Sequence, residues 1–229
     1  MLIGGLHKVS LINYPGRISA VVFTQGCVFR CPYCHNPELV NPKLFTKTIP
    51  EDEVLNFLEK RKGKLDAVVI TGGEPTIQKD LPEFIKKIKA MGFLVKLDTN
   101  GVNPEMLAGL LDEKLLDYVA MDVKAPLEKY EKIVKAKAVL ADIERSIKLI
   151  MSSAVDYEFR TTVVKDFLSK KDILKIGEMI KGAKRYVLQK FVPSKTLDKK
   201  FMKAATYSDE EFEEMRAELD RHISRVSVR

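Results

Sequence analysis

Cysteine is scarce in this sequence, and long apolar runs and blocks of like charge are missing. The 229 residues include three cysteines, an odd number that makes a poor disulfide framework. No segment approaches the ~18 uninterrupted apolar residues that a membrane span requires. The opening residues MLIGGLHKVSL have neither the basic region nor the apolar core of a signal peptide. We therefore expect a soluble cytoplasmic protein that does not associate with a membrane.

Positive charge is in modest excess, with 39 Lys and Arg against 32 Asp and Glu. The net charge of +7 is spread along helical segments and forms no basic block. It weakly favours acidic or phosphate-bearing partners and does not predict nucleic-acid binding. With 45% hydrophobic residues and no repeat or linker, the composition predicts one folded domain over residues 1–229.

Apolar, β-branched runs alternate with helical patterns along the chain. The runs predict six strands, over residues 19–25, 65–71, 93–99, 118–123, 157–164 and 185–191. Apolar residues at three-to-four spacing predict helices over residues 52–61, 81–91, 104–111, 139–151, 171–181 and 208–222. Because the strands are apolar almost throughout, we expect a parallel sheet covered by helices.

Six βα units in series are compatible with a partial barrel or with a doubly wound sheet. Polar and glycine-rich residues lie at or near the C-terminal ends of all six strands, where a barrel assembles one site from many loops. We therefore predict an α/β fold, a partial (β/α)6 barrel over residues 15–200. Residues 1–14, with a turn at Gly4-Gly5, are expected to form a short hairpin or cap, and residues 201–229 a C-terminal helix.

All three cysteines lie in one loop, CVFRCPYC, at Cys27, Cys31 and Cys34. This spacing suits three corners of a [4Fe–4S] cluster, whose fourth iron would be open or bound by another group. An open iron can coordinate a small molecule and so take part in catalysis. The alternatives are a ferredoxin-type electron carrier, three inert buried thiols, or a Cys3His zinc site completed by one of the histidines His35, His7 and His222.

The C-x3-C-x2-C pattern, with aromatic Tyr33 before the last cysteine, resembles the motif of the radical S-adenosylmethionine (SAM) superfamily. The resemblance implies that the open iron is chelated by SAM, and that one electron cleaves SAM to methionine and a 5′-deoxyadenosyl radical. Gly72-Gly73-Glu74 resembles the GGE motif of that family, which implies contacts to the methionine ammonium. The glycines would let the backbone approach the ligand. Tyr33 would form a wall against the adenine or the cluster, or else pack beneath the loop.

Within the superfamily, the chain resembles the branch that activates glycyl-radical enzymes. The segment HKVSLINYPGRISAVVFTQGCVFRCPYCHNPELV is most similar to activators of anaerobic ribonucleoside-triphosphate reductase. DTNG at 98–101 and DVK at 122–124 resemble paired motifs of pyruvate formate-lyase activators. That similarity implies a monovalent cation held by Asp98 and Asp122, and cofactor contacts from Asn100 and Lys124. The alternative for the two aspartates is a pair of strand-end turn residues.

Two further side chains are candidates for the cofactor site. Arg160 matches an arginine on the corresponding strand of these activators, and a charge within an apolar strand needs a buried partner or a polar site. Gln189 lies where the sixth strand would close over the adenine. Many pyruvate formate-lyase activators have a histidine near this point, and its absence here argues against that subfamily.

The resemblance therefore implies a radical SAM oxidoreductase that removes an α-hydrogen from a glycine of a partner glycyl-radical enzyme. The expected partner is anaerobic ribonucleotide reductase. Since all three cysteines would hold one cluster, the electron would come from a separate donor such as a flavodoxin or ferredoxin. The alternatives are activation of another partner such as pyruvate formate-lyase, reaction on a small nucleotide, and a non-catalytic iron–sulfur or zinc protein.

Overall fold

Eight strands form one sheet, and their order across the sheet is the same as their order along the chain. The computed structural model describes residues 1–229. The strands are β1 (Ile3–Tyr14), β2 (Arg17–Thr24), β3 (Ala67–Gly72), β4 (Leu94–Thr99), β5 (Tyr118–Asp122), β6 (Asp156–Val163), β7 (Tyr186–Lys190) and β8 (Val226–Val228). Strand β1 is antiparallel to β2, and each later neighbouring pair is parallel.

Helices fill the connections between the parallel strands. They are α1 (Pro37–Val40), α2 (Glu51–Glu59), α3 (Leu81–Ala90), α4 (Pro104–Asp112), α5 (Tyr130–Val134), α6 (Leu140–Ser152), α7 (Lys170–Met179) and α8 (Asp209–Leu219). Short 3-10 helices follow several strands, including Pro75–Ile77 after β3. None of the helices combines the length and the apolar character that crossing a membrane requires.

The strand order distinguishes between the two architectures left open by the sequence. A doubly wound sheet reverses its order at a switch point, whereas this sheet runs in sequence from β1 to β8 without reversal. The first and last strands are not paired with each other, so the sheet does not close. The predicted partial barrel is therefore confirmed, and each predicted strand is present within two residues of its expected bounds.

The two ends of the chain differ from their predicted form. Strand β1 is 12 residues long and pairs with β2 across a turn at Pro15-Gly16, where Gly16 has a φ of +70°. The expected turn at Gly4-Gly5 is wrong, because both residues lie inside β1. A Cβ on Gly4 would come within 2.5 Å of Leu39, so close packing explains that glycine. After α8, the chain adds β8 to the open edge of β7.

Residues that alternate along each strand face opposite sides of the sheet. One set packs against the helices in a core of 51 buried residues, which includes Val68, Val95 and Val119. The other set lies on the concave inner face, where Val21, Val69, Ala120 and their neighbours form a small apolar cluster. Val69 on β3 is in register with Lys96 on β4, so Lys96 also faces this inner side. Charged side chains occupy the part of the inner face that is nearest the C-terminal ends of the strands.

Candidate active site

A cavity of about 190 Å³ lies at the C-terminal ends of β2 to β6. Most of the residues predicted from the sequence line it, namely Cys27, Cys31, Tyr33, Cys34, Gly72, Gly73, Glu74, Asp98, Asn100, Asp122 and Lys124. Arg160 and Gln189 are absent from the lining, although both lie on the inner face by register. The barrel thus brings the cysteine loop and three later strand ends to one place.

The cysteine loop follows β2 and is held at both ends by backbone hydrogen bonds. The amide of Arg30 donates to the carbonyl of Val134 at 2.8 Å, and the amide of Leu197 donates to the carbonyl of Cys34 at 3.0 Å. The three thiols form no disulfide. Burial raises the pKa of Cys27 to about 12 and that of Cys31 to about 11. These thiols are therefore neutral near pH 7 unless a bound metal displaces their protons.

The Gly72-Gly73 turn is packed against the strand that leads into this loop. The amide of Gly73 donates to Thr24 and the amide of Glu74 donates to Gly26, each at 2.8 Å. A Cβ on Gly73 would lie 1.9 Å from the carbonyl oxygen of Gly26, and Gly72 has a φ of +117°. The sequence suggested that these glycines let the backbone approach a ligand. In the structure, they allow two backbone segments to approach each other.

We expect Gly73→Ala to destabilise the folded chain by about 1 to 3 kcal/mol, because the new methyl group must push the Gly26 backbone aside. Gly109→Ala is the matched control, since a Cβ at this helical position meets nothing within 4 Å. That change should stabilise the chain by roughly 0.5 to 1 kcal/mol. Urea unfolding of the cluster-free proteins measures both effects. A Gly73→Ala variant as stable as the parent chain would show that the close approach is not required.

Glu74 joins the loop after β3 to the loop after β4, and its side chain is buried. Its Oε1 accepts from the Thr76 hydroxyl and from the Thr99 hydroxyl, each at 2.7 Å. Its Oε2 accepts from the Asn100 amide at 2.7 Å. Burial raises the pKa of Glu74, and these hydrogen bonds oppose the rise. The predicted contact with a ligand ammonium stays a prediction, for which Oε2 retains acceptor capacity.

Three cations and two carboxylates alternate across the inner face. The Lys96 ammonium contacts Asp98 Oδ1, and Arg160 Nη1 lies 3.3 Å from Asp98 Oδ2. Arg160 Nε lies 2.9 Å from Asp122 Oδ1, and Lys124 Nζ lies 2.9 Å from Asp122 Oδ2. We call these five residues the charge row. Ion pairs thus join the five side chains into one network, of which Lys96 and Asp98 are buried and the other three partly buried.

Within the charge row, Asp122 and Lys124 hold each other in the charged form. Burial by itself would raise the pKa of the Asp122 carboxyl, yet the Arg160 guanidinium and the Lys124 ammonium hold it well below its usual range. Burial would likewise lower the pKa of Lys124, and the Asp122 carboxylate raises it well above its usual value. A ligand entering the cavity therefore meets the Asp122 carboxylate and the Lys124 ammonium in their charged forms, since both residues line it.

Sequence reasoning missed Lys96, whose side chain is 1% exposed. The signal was the same as for Arg160, a charge within the apolar run FLVKLDT. Gln189 Oε1 accepts from the hydroxyl of Thr162 at 3.5 Å, and Thr162 lines the cavity; a contact of Gln189 with adenine stays a prediction. Of the histidines weighed as zinc ligands, His35 lines the cavity but stacks on Phe191 and lies 3.2 Å from the Val192 carbonyl.

Comparisons with known proteins identify the family. The model of the radical SAM superfamily matches residues 21–180. The chain belongs to this superfamily. It is 36% identical, over its full length and 95% of the relative's length, to a Methanocaldococcus jannaschii protein named "Putative glycyl-radical enzyme activating enzyme MJ1227". It is also 29% identical to the pyruvate formate-lyase-activating enzyme of Clostridium pasteurianum, over 86% of this chain and 84% of that enzyme. The chain is thus a radical SAM oxidoreductase of the glycyl-radical enzyme activating family.

Solved structures share the fold of this radical SAM enzyme. Streptococcus suis SuiB bound to its precursor peptide SuiA superposes with a TM-score of 0.66 at 12% identity, over 91% of this chain. The chain spans about half of SuiB, 48% of its length. TYW1 with a bound lysine-pyruvate adduct superposes with a TM-score of 0.62 at 18% identity, over 90% of this chain and 74% of TYW1. At these sequence identities, the structural similarity establishes only that this chain shares the barrel fold.

The family implies a [4Fe–4S] cluster and SAM, and the cavity has the chemistry to receive them. The three thiols do not converge as ligands of a single metal ion, whereas a cubane binds each thiolate to a different iron. Tyr33 packs edge-on against Phe167 and Phe191. Its hydroxyl is buried without a hydrogen-bond partner, which is costly unless a ligand supplies one. Tyr33 thus belongs to the buried core and also lines the cavity, and its contact with the adenine or the cluster stays a prediction.

Asn100 is expected to tune the potential of a cluster held by this radical SAM enzyme. Its Nδ2 donates to Cys27 Sγ at 3.8 Å, while its Oδ1 accepts from the Val102 amide at 3.1 Å. Asn100→Asp keeps the acceptor, removes the donor and adds a negative charge, and the last two changes both act against the reduced state. We expect the reduction potential to fall by an amount on the order of 50 mV, because hydrogen bonds to cluster sulfur stabilise the reduced state. A redox titration followed by electron paramagnetic resonance would detect the shift, and an unchanged potential would contradict this role.

Proposed function

We propose that this enzyme cleaves SAM reductively in the cavity and removes an α-hydrogen from a glycine of a partner glycyl-radical enzyme. The observation that carries the proposal is the juxtaposition of three free cysteines, Glu74 and the charge row in one cavity. The full-length similarity to a protein named as an activating enzyme supports the same conclusion. We place the reaction in the cytoplasm, as the sequence suggested.

Each group in the cavity has a proposed task. Cys27, Cys31 and Cys34 would hold three irons of the cluster, which together with SAM supplies a primary carbon radical at the adenosyl 5′ position. Glu74 would accept from the methionine ammonium. Lys124 would donate to the methionine carboxylate, since it lines the cavity and its charge is fixed by Asp122. Charge-assisted hydrogen bonds of this kind orient a ligand as well as hold it.

Exposed apolar side chains beside the cavity favour a protein substrate. Val28, within the cysteine loop, is 45% exposed, and Val192, whose carbonyl lies near His35, is 62% exposed. Because Val28 follows the cavity-lining Cys27 and the Val192 carbonyl lies beside the cavity-lining His35, both side chains would be available to contact a protein substrate. Glycine suits the reaction because it has no side chain, so its α-hydrogen can reach the close contact that hydrogen transfer requires.

Anaerobic ribonucleotide reductase is the partner that we propose, on the similarity of residues 7–40 to its activators. Pyruvate formate-lyase is the second candidate, because of the similarity to its activating enzyme over most of the chain. In either case a flavodoxin or ferredoxin would supply the electron, since the chain has no cysteine beyond the three in the cavity. The proposal does not require the monovalent cation predicted for Asp98 and Asp122, because both carboxylates have protein cations beside them.

The test is to incubate the reduced, reconstituted enzyme and SAM with each candidate partner from the same organism. We expect a carbon-centred doublet in the electron paramagnetic resonance spectrum of the ribonucleotide reductase, with 5′-deoxyadenosine as coproduct. A doublet on pyruvate formate-lyase alone would replace the proposed partner by the second candidate. Accumulation of 5′-deoxyadenosine with no doublet on either protein would contradict the activating role and favour a small-molecule substrate.

A further inference from the structure

We propose that the buried ammonium of Lys96 is a built-in countercharge that makes SAM binding independent of any added monovalent cation. In this proposal Lys96 is a positioning residue: it holds Asp98 in place and does not touch the ligand. This inference rests on the SAM site of the proposed function and not on the identity of the partner protein.

The first argument is the number of carboxylate oxygens. Asp98 and Asp122 have four, and each of them faces a protein cation: Lys96 and Arg160 at Asp98, Arg160 and Lys124 at Asp122. A potassium or sodium ion needs several such oxygens, and here it would approach within reach of three positive charges. Coulomb repulsion at these separations opposes its entry.

The second argument is the placement of Lys96 itself. Its side chain is 1% exposed, and its ammonium lies 5.7 Å from the centre of the Tyr118 ring, whose face is attractive to a cation. The residue is on β4 two positions before Asp98, on the same inner face. Because the side chain is enclosed, the Lys96 ammonium occupies the space beside Asp98 Oδ1 that an added ion would need.

The third argument is the charge balance. With Lys96 included, the charge row has three cations and two anions. The neighbouring buried carboxylate of Glu158 is paired outside the row with Arg229 at 3.3 Å, so the row offers one formal positive charge in excess to a ligand carboxylate. Without Lys96, the row would be neutral, and the outer oxygen of Asp98 would face the barrel interior unpaired. An added monovalent cation would then restore the missing charge. Lys96 therefore supplies the positive charge beside Asp98 that an added monovalent cation would otherwise supply.

The experiment is calorimetric titration of SAM into the anaerobically reconstituted enzyme, without any partner protein, in potassium chloride and in choline chloride at equal ionic strength. We expect the parent affinities in the two salts to agree within about twofold. For Lys96→Met we expect affinity in choline chloride to fall by about tenfold or more and to be largely restored by potassium. Lys89→Met is the matched control. Lys89 Nζ lies 2.7 Å from Asp117 Oδ2, and neither residue lines the cavity.

Three results would overturn the inference. The first is a parent affinity that depends on potassium. The second is a Lys96→Met variant that binds SAM as tightly as the parent in choline chloride. The third is a loss of affinity in Lys96→Met that potassium does not restore, which would mean that Lys96 only supports the barrel. Should Lys96→Met fail to fold, the comparison of SAM affinity in the two salts on the parent enzyme still tests the inference. Because no partner is present, failure to activate a reductase has no bearing on any of these results.

Discussion

Replacing any one of Cys27, Cys31 and Cys34 by alanine is expected to reduce SAM cleavage to background. Each thiolate would hold a separate iron, and the chain has no other cysteine that could take its place. The parent chain should bind about four irons and four sulfides after anaerobic reconstitution, as a cubane requires. The variants should hold fewer irons and lose the visible absorption of the cluster. Release of 5′-deoxyadenosine with dithionite as the reductant measures the activity.

A loss of cluster could also come from a loss of fold, so two checks accompany this experiment. Far-UV circular dichroism should show that each alanine variant keeps its secondary structure, because the buried thiols are small. Val139→Ala, at a residue that is 62% exposed and does not line the cavity, is carried through the same reconstitution and should match the parent. Normal cleavage in any of the three cysteine variants would remove the basis of the proposed function.

Arg160→Met is expected to destabilise the folded chain by about 3 kcal/mol and to weaken SAM binding. The guanidinium is the only cation shared by both aspartates. Its removal breaks one ion pair at each aspartate and leaves Asp98 with Lys96 and Asp122 with Lys124, and breaking a buried ion pair costs roughly 3 to 5 kcal/mol. We expect the lower end of that range because Asp122 is 26% exposed. Urea unfolding measures the loss, and Arg145→Met is the control. Arg145 and Glu105 are 53% and 67% exposed, so that change should cost less than about 1 kcal/mol.

The destabilisation should depend on pH in a defined direction. Since the folded-state pKa of Asp122 is lowered, its ion pairs stabilise the fold above the ordinary aspartate pKa of about 3.9. That stabilisation is lost as the pH falls through the lowered pKa. Without Arg160, Asp122 keeps only Lys124 and its carboxylate protonates more readily in acid, so the difference in unfolding free energy between parent and variant should narrow from pH 7 towards pH 3. A gap that stays constant over this interval would contradict the assigned ion pairs.

The fold could be predicted well where apolar runs were long. Strands β2 to β7 are mostly apolar along their length, and this pattern predicted their bounds within two residues. Strand β8 has three residues, which is too short for any periodicity to show. Strand β1 was missed as a strand because its burial follows no regular alternation and most of its side chains are at least partly exposed. Its position depends on pairing with β2, which is a tertiary property.

The site could be predicted only as far as residue types and spacing allow. The cysteine spacing and the strand-end motifs indicated which side chains gather at the cavity, and the contact between Lys96 and Asp98 follows from strand alternation. The partners of Arg160 did not follow, since they depend on the register that sets Asp122 beside Arg160. Glu74 was assigned to a ligand alone because the sequence does not show that Thr99 and Asn100 lie within hydrogen-bond distance of it.

The central claim is that this enzyme takes a hydrogen atom from a backbone glycine, and isotope transfer tests it most directly. Anaerobic ribonucleotide reductase is prepared with glycine deuterated at both α positions and incubated with the reduced enzyme and unlabelled SAM. Mass spectrometry of the nucleoside product then reports the origin of the transferred atom. We predict 5′-deoxyadenosine that carries one deuterium, together with a collapsed doublet in the spin-resonance spectrum of the reductase. Unlabelled 5′-deoxyadenosine, formed while the reductase remains without a radical, would contradict the account.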